Sequence, residues 1–568
     1  MSSVPSWAAV EPAPDRRNER SPDDLFRRLE QLNEIGAALS LEKNLNALLE
    51  KIVIAAKTIT RADGGTLYLI EGEDGKQQLR FEIVRTSSLD VELGGTTGNP
   101  IPFYPIQLYR NRDPNTSMVA AFAALTGQTV NVADAYTEVG FDFSGTRQFD
   151  QKTGYRSKSF LTVPMKNHEG EIIGVLQLIN CHDSQSGEIV PFPQSDQRLA
   201  ESLASQAAIA LTNRALINQL ENLFESFIKL INEAIDEKSP YTGGHCQRVP
   251  ALTMMLADAV NDTESGPLRS FTMTDKDRYE LQIAGLLHDC GKITTPVHVV
   301  DKATKLETIF DRIALLDTRF EVLKRDAEIA AIAKKLALAR EPALDEMTRR
   351  QRTYEIDGEL RDTLRQIEDD RKFLRRCNIG SESMSKEEQD RARHIGLAYK
   401  WRDISGNTSN FLTDDELTNL TIPRGTLTVE EREIINHHIV STIKMLEALP
   451  WPKHLRNVPE YAGGHHERMD GKGYPRGLRR DQMSVQARIM GIADIFEALT
   501  AKDRPYKKGK TLSESLHILG KFKLNGHIDP DLFDVFVRAK VYLKYAEQFL
   551  DPEQIDVVDE KKIPGYLA

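Results

Sequence analysis

One stretch constrains this chain more than any other. From Gln197 to Asp236 apolar residues form a nearly unbroken helical stripe: Leu199, Leu203, Ala207, Ile209, Leu211, Leu216, Leu220, Leu223, Phe227, Leu230, Ile231 and Ile235. That spacing predicts one long helix. Much of it has the alternation of a helix that pairs with a second copy, and packing on its own domain is the alternative. The stretch also divides the chain, because the patterns before and after it obey different periods.

Before it, helical and alternating segments mix. Leu29, Leu32, Ile35, Leu39, Leu45, Leu48, Leu49 and Ile52 follow a helical period. Gly65–Ile70 and Leu79–Val84 alternate around a turn at Glu73-Asp-Gly75, which predicts a hairpin. A second pair, Ser159–Met165 and Ile172–Asn180, flanks the turn Asn167-His-Glu-Gly170. The order predicts an α+β domain over 25–215, with 216–236 as a connecting helix. After Ser239-Pro240 the chain is predominantly helical, and strand-like runs are scarce. One part of it, about 305–426, is polar and charge-laced and predicts a helical hairpin inserted into the domain 237–550. The insertion is expected to be either a lid or docking arm, or a solvated hairpin without a catalytic role.

The 568 residues are enough for about three domains, or two with a large insertion. A net charge of −11 argues against long nucleic acid as a partner, so a phosphate substrate would need a local site. Four cysteines without a CxxC pair fit a reducing compartment. Residues 1–24 are polar and Pro-rich without an apolar core, and are expected to be a disordered tail rather than a signal peptide. Residues 551–568 are expected to be a C-terminal tail. No apolar run approaches the ~18 residues that span a bilayer, so a soluble, cytoplasmic protein without membrane insertion is expected.

The chemistry is concentrated in the helical part. His288-Asp289 lies at the end of the apolar segment Ala284–Leu287, followed by Gly291 and Lys292. Adjacent residues cannot share one helix face, but at a helix end both can converge on one ion. His245 lies upstream. His437-His438, then His465-His466 and Asp494, lie downstream. Six of the 13 histidines fall in these four histidine-bearing segments, which favours a multinuclear metal site. Imidazole and carboxylate donors suit borderline first-row metals.

These residues carry a resemblance. The string His465-His-Glu-Arg-Met-Asp-Gly-Lys-Gly-Tyr-Pro475, together with His288-Asp289, Gly291-Lys292, Ala493-Asp494 and Asp503-Arg-Pro-Tyr506, resembles the HD-GYP family of cyclic di-GMP phosphodiesterases. The resemblance covers about 227–550 and implies an all-α, HD-type metal-dependent phosphohydrolase. It implies two divalent metal ions, iron or manganese. One would be held by His245, His288, Asp289 and Asp494. Asp289 would bridge to a second, held by His438, His465 and His466. His437 would be the exposed neighbour of His438. Lys292 would add charge beside the centre, and Arg504 and Lys508 would grip the substrate phosphates. Gly473-Tyr474-Pro475 would shape a loop at the site, with Tyr474 in contact with guanine or in a merely rigid turn. Three-metal members carry a Glu where this chain has Tyr241, so a dinuclear site giving linear pGpG, and GMP only secondarily, is expected. The rivals are a cyclic dinucleotide receptor without turnover and a hydrolase of another cyclic dinucleotide such as cyclic GMP-AMP.

The front part resembles a GAF domain in its α+β order and in Phe149–Ser157, Leu161–Met165 and Ile173–Asn180. That resemblance implies a sensor domain, with a cyclic nucleotide as a possible ligand and a ligandless dimerisation module as the alternative. The pattern found in nucleotide-binding members reads Asn180-Cys181, Phe192 and Asp196-Gln197 here, without its Lys and Glu. A homodimer joined along the long helix is expected, with movement of that helix coupling sensor to catalysis.

Overall fold

The computed structural model describes residues 22–73, 75–110, 112–238, 244–342, 344–380, 383–402, 404–502 and 509–567. The polar N-terminal stretch before Pro22 lies outside them, as do Tyr241, Arg504 and Lys508. The chain forms two compact units, Met1–Phe224 and Glu225–Ala568.

The first unit is built on an antiparallel sheet. Its strands run in the order Val91–Gly94, Gln78–Thr86, Ala62–Glu71, Ile172–His182, Phe160–Lys166 and Val130–Val132. Both predicted hairpins are present, and the strands Ala62–Glu71 and Ile172–His182 pair at the centre with Leu67 opposite Leu176. One face of the sheet is covered by the helices Pro22–Leu41 and Leu45–Thr60 and by the start of the long helix. Leu48, Ile52, Leu67, Leu178, Leu203 and Ala207 meet there in one buried core. The residues of the nucleotide-binding pattern hold this architecture together. Asn180, at φ 58°, accepts from the Lys158 backbone N–H at 2.7 Å and donates to the Tyr155 hydroxyl at 2.9 Å. Phe192 lies in the core, and buried Asp196 accepts from Arg28 at 2.8 Å.

The long helix is continuous from Gln194 to Lys238. Its two faces differ. Ile228, Asn232 and Ile235 are buried, whereas Leu216, Leu220, Leu223, Phe227 and Leu230 are 46 to 65 % exposed.

Among the described residues the second unit is helical, apart from a two-stranded ribbon, Lys400–Arg402 with Thr408–Asn410. The insertion is more than the expected hairpin. Two long helices, Ile313–Ala339 and Glu346–Asn378, run antiparallel, with Lys324 on Glu368 at 2.9 Å and Lys334 on Glu359 at 2.8 Å. At their base they join the helices Lys386–Ala398 and Asp414–Leu420 around a core of Leu316, Phe320, Leu374, Ile395, Phe411 and Leu420. The apolar residues of that core are spread over four helices and the loop that carries Phe411, so a charge-laced surface pattern hid them. Lys302 clasps this base, donating to Glu431 at 2.7 Å and to Asn419 at 2.7 Å. Residues 551–567 do not trail away. Ile563 is buried, Pro564 lies against Gly520, and Gln554 donates to the Thr500 carbonyl at 2.8 Å. Among the described residues no helix is long and apolar enough to cross a membrane.

Candidate metal centre

Four helix ends and the middle of a fifth helix carry the candidate donors. His245 is the first residue of the helix His245–Asn261, behind Gly244 at φ 87°. His288 caps the end of Asp275–Leu287, a helix begun by a reciprocal cap between Thr274 and Asp277, and Asp289 starts the next turn. His438 opens the helix His438–Glu447, and His437 beside it is exposed. His465 and His466 follow the helix Val458–Gly463, and Asp494 lies within Val485–Thr500.

Glycine allows these ends to meet. A Cβ on Gly291 would lie 2.0 Å from the His438 carbonyl and 2.5 Å from the Thr442 nitrogen. The Gly291 N–H instead donates to Thr442 Oγ1 at 2.9 Å, seating the His288-Asp289 turn on the His438 helix. This is the physical content of the glycine two residues after the His-Asp pair.

The donors form two clusters, His245, His288 and Asp289, and His438, His465 and His466. Asp289 faces both. Its Oδ2 lies 3.1 Å from His245 Nε2 and 3.3 Å from His288 Nε2, and its Oδ1 lies 3.2 Å from His438 Nε2. Asp494 Oδ1 is 3.4 Å from His245 Nε2. Lys292 Nζ reaches Asp289 Oδ2 at 2.5 Å. Lys238, at the end of the long helix, donates to the Lys292 carbonyl at 3.3 Å and also reaches the Ile293 carbonyl.

The protonation pattern fits cations. Nδ1 of His288, His438 and His465 each lies 2.6–2.7 Å from the carbonyl three residues earlier. A ring nitrogen donating to a carbonyl carries the proton, so the opposite Nε2 of the neutral ring is a lone pair. The Nε2 atoms converge. His288 Nε2 faces His245 Nε2 at 3.3 Å, His438 Nε2 faces His466 Nε2 at 3.2 Å, and His465 Nε2 is buried without a hydrogen-bond partner. Nitrogens gathered in this way can share a proton or a cation.

Electrostatics agree. Burial opposes charge on Asp289, yet Lys292 and the facing imidazoles hold it well below the usual carboxylate range. Asp494 is likewise depressed against burial, by its hydrogen bond from His245 and by neighbouring imidazoles. Burial drives His466 down to about 4 and His465 well below its ordinary value, so both rings stay neutral and available as ligands. His245 is the exception. Burial would lower it, but Asp289, Asp494 and Glu497 raise it well above the ordinary value.

The segment after His466 builds the wall of the site. Glu467 is buried and accepts from the backbone N–H groups of Arg476 at 2.7 Å and Leu478 at 2.9 Å. Gly473 passes so close that a Cβ would lie 2.4 Å from the Arg468 nitrogen. Tyr474 is thereby laid over His466, ring centroids 4.9 Å apart and planes 27° apart. A cleft lined by Tyr474, Asp494, Ile495, Leu499, Arg468 and His527 opens beside these rings.

Every described residue singled out as a metal donor is therefore in one place, with Lys292 and Tyr474 beside it. Sequence reasoning missed Glu497 and Arg248. Glu497 Oε2 is 2.6 Å from His245 Nδ1, and Arg248 holds the other oxygen at 2.7 Å. The available signal was the spacing of Asp494 and Glu497, three residues apart on one helix face.

Comparison with known proteins follows the same division. A GAF-domain family model matches residues 44–211, and two HD-domain models match 242–375 and 412–532. The chain carries a GAF domain followed by a helical HD-domain region. It is similar, at 38 % identity over 115 residues, to a cyclic di-GMP phosphodiesterase of Pseudomonas aeruginosa (20 % of this chain, 27 % of the relative). At 47 % identity over 81 residues it is similar to a 3'3'-cGAMP-specific phosphodiesterase of Vibrio cholerae (14 % and 19 %). At 28 % identity over 209 residues it is similar to a dual 3',5'-cyclic-AMP and -GMP phosphodiesterase of Takifugu rubripes (36 % and 21 %). In each case the chain spans between about a fifth and a quarter of the relative's length.

Proposed function

We propose that the HD region hydrolyses cyclic di-GMP at a two-metal centre under control of the GAF domain. The observation that carries the reading is Asp289, whose two oxygens face different donor clusters. His245, His288, Asp289 and Asp494 would hold one cation, and Asp289, His438, His465 and His466 the other. Iron or manganese suits this nitrogen and oxygen set. Such a pair supplies Lewis acidity toward a phosphodiester and a nucleophilic water at neutral pH.

The chain's own residues supply the rest. Lys292 keeps Asp289 ionised and places a fixed positive charge where a phosphate oxygen would approach. Tyr474 and the apolar wall of Ile495 and Leu499 offer a surface for a base. Arg504 and Lys508 remain the proposed phosphate grips from the sequence. Addition of one water across one ester bond opens the ring to linear pGpG. Tyr241 in place of a third-metal carboxylate favours stopping there. A complete donor set disfavours a receptor without turnover.

The exposed seam of the long helix fits a second copy of this chain. Asn213, Leu216, Leu220, Leu223, Phe227, Leu230 and Ala234 fall on alternating three- and four-residue steps, the spacing of a two-stranded coiled coil. The opposite face is already buried at Ile228 and Ile235. The four cysteines are buried and none forms a disulfide, which fits the reducing cytoplasm.

The relative named for 3'3'-cGAMP gives a second substrate reading. Rates on cyclic di-GMP and 3'3'-cGAMP, measured with manganese and then with chelator, separate the two. Faster opening of cyclic di-GMP, lost on chelation, is expected. A preference for 3'3'-cGAMP overturns the substrate, and chelator-insensitive turnover overturns the centre.

A further inference from the structure

The site histidines are not all aimed by the same means. His288, His438 and His465 are oriented by a carbonyl of their own segment, three residues back. Each can use that carbonyl because a helix or helical turn precedes it. His245 opens its helix, directly after Gly244, and its Nδ1 lies 2.6 Å from Glu497 Oε2 on a different helix.

We propose that Glu497, clamped by Arg248, is the positioning residue that aims His245 into the first donor cluster. The proposal rests on the reading of the clusters as a metal centre. Glu497 is 1 % exposed, so its carboxylate needs a permanent partner. Arg248 supplies one, with Nε and a terminal nitrogen each 2.7 Å from Oε1. One oxygen is thus tied to Arg248 and the other to His245, and neither is free to swing toward the cations as a ligand.

The arrangement couples two elements. Glu497 and Asp494 lie on the helix Val485–Thr500, three residues apart. Glu497 meets His245 at Nδ1, while Asp494 lies 3.4 Å from Nε2 on the other side of the ring. Arg248 lies one turn beyond His245 on the helix His245–Asn261. One helix therefore brings a donor of its own and also fixes the direction of a donor on its neighbour. A carboxylate behind an imidazole fixes the tautomer and makes the opposite nitrogen a stronger ligand than a carbonyl does. The second cluster has no such carboxylate behind His438 or His465, so the effect is local to the first.

That asymmetry gives the test. The full chain and its Glu497→Gln variant are loaded with manganese and dialysed against rising chelator. Metal per chain is counted by mass spectrometry, and coupling between the ions is followed by electron paramagnetic resonance. Wild type is expected to hold two ions. E497Q is expected to release one of them at ~10–100-fold lower chelator, to lose the coupled signal and to keep the second ion. Equal retention of both ions by E497Q overturns the proposal, as does parallel loss of both, which a merely structural role would produce. A wild type that retains no manganese overturns the two-metal reading itself, and Glu497 then has nothing to aim. Should E497Q fail to fold, Arg248→Lys keeps the charge but loses the fork, and the same selective release of one ion is expected from it. Wild-type retention by a folded R248K overturns the clamp.

Discussion

At the residue scale, the motif positions divide into those that donate and those that make room. His245, His288, Asp289, His438, His465, His466 and Asp494 are the proposed donors. Gly291 makes room, because a Cβ there would drive into the His438 carbonyl at 2.0 Å, a backbone atom that cannot step aside. Gly291→Ala is therefore expected to destabilise the second unit by about 1–3 kcal/mol, lowering its melting temperature by several degrees and spreading the two clusters apart. Scanning calorimetry and manganese counting check this, and an unchanged melting temperature with full metal load contradicts it. The donors were legible in the sequence, because few residue types can bind a cation and six histidines gathered in four segments. Beyond its spacing from Asp494, the role of Glu497 was not legible. A buried glutamate in an apolar helix looks the same whether it caps, pairs or orients, and its partners Arg248 and His245 are about 250 positions away in sequence.

At the element scale, the long helix divides its surface between two tasks. One face carries Ile228, Asn232 and Ile235 into the second unit, and the other leaves Leu220 at 65 % and Leu223 at 53 % exposed. Its extent was readable from Gln197 to Asp236, since sustained periodicity is the strongest local signal a sequence carries. The assignment of faces was not, because both are apolar. The combined Leu220→Glu and Leu223→Glu change places unpaired carboxylates in the proposed seam. At about 3–5 kcal/mol for each buried unpaired charge, dimerisation should weaken by more than ~100-fold. Sedimentation velocity should show dimer for the unaltered chain and monomer for the variant. Dimer in both would place the interface elsewhere. The insertion is less legible from periodicity. Its long helices read as polar and charge-laced, but Leu316, Phe320, Leu374 and Phe411 close a core that only the returning segments complete. Packing between elements distant in sequence leaves no periodic trace within any one of them.

At the scale of the whole molecule, the α+β front and the helical back were legible because their hydrophobic periods differ, and the centre was legible because its donors are rare residues. The orientation of those donors was not. It depends on carbonyls at helix ends, on Gly291 and Gly473 where backbones nearly touch, and on Glu467 gathering the loop that lays Tyr474 over His466. The central claim is that Asp289 joins two cation sites into one hydrolytic centre. The most direct measurement is opening of cyclic di-GMP by the full chain, purified without air and supplied with iron or manganese, beside Asp289→Asn. The variant keeps the size of the side chain and removes its charge. Linear pGpG from the unaltered chain and none from D289N is the predicted result. Equal turnover by D289N, or tight binding without turnover by the unaltered chain under either metal, would contradict it.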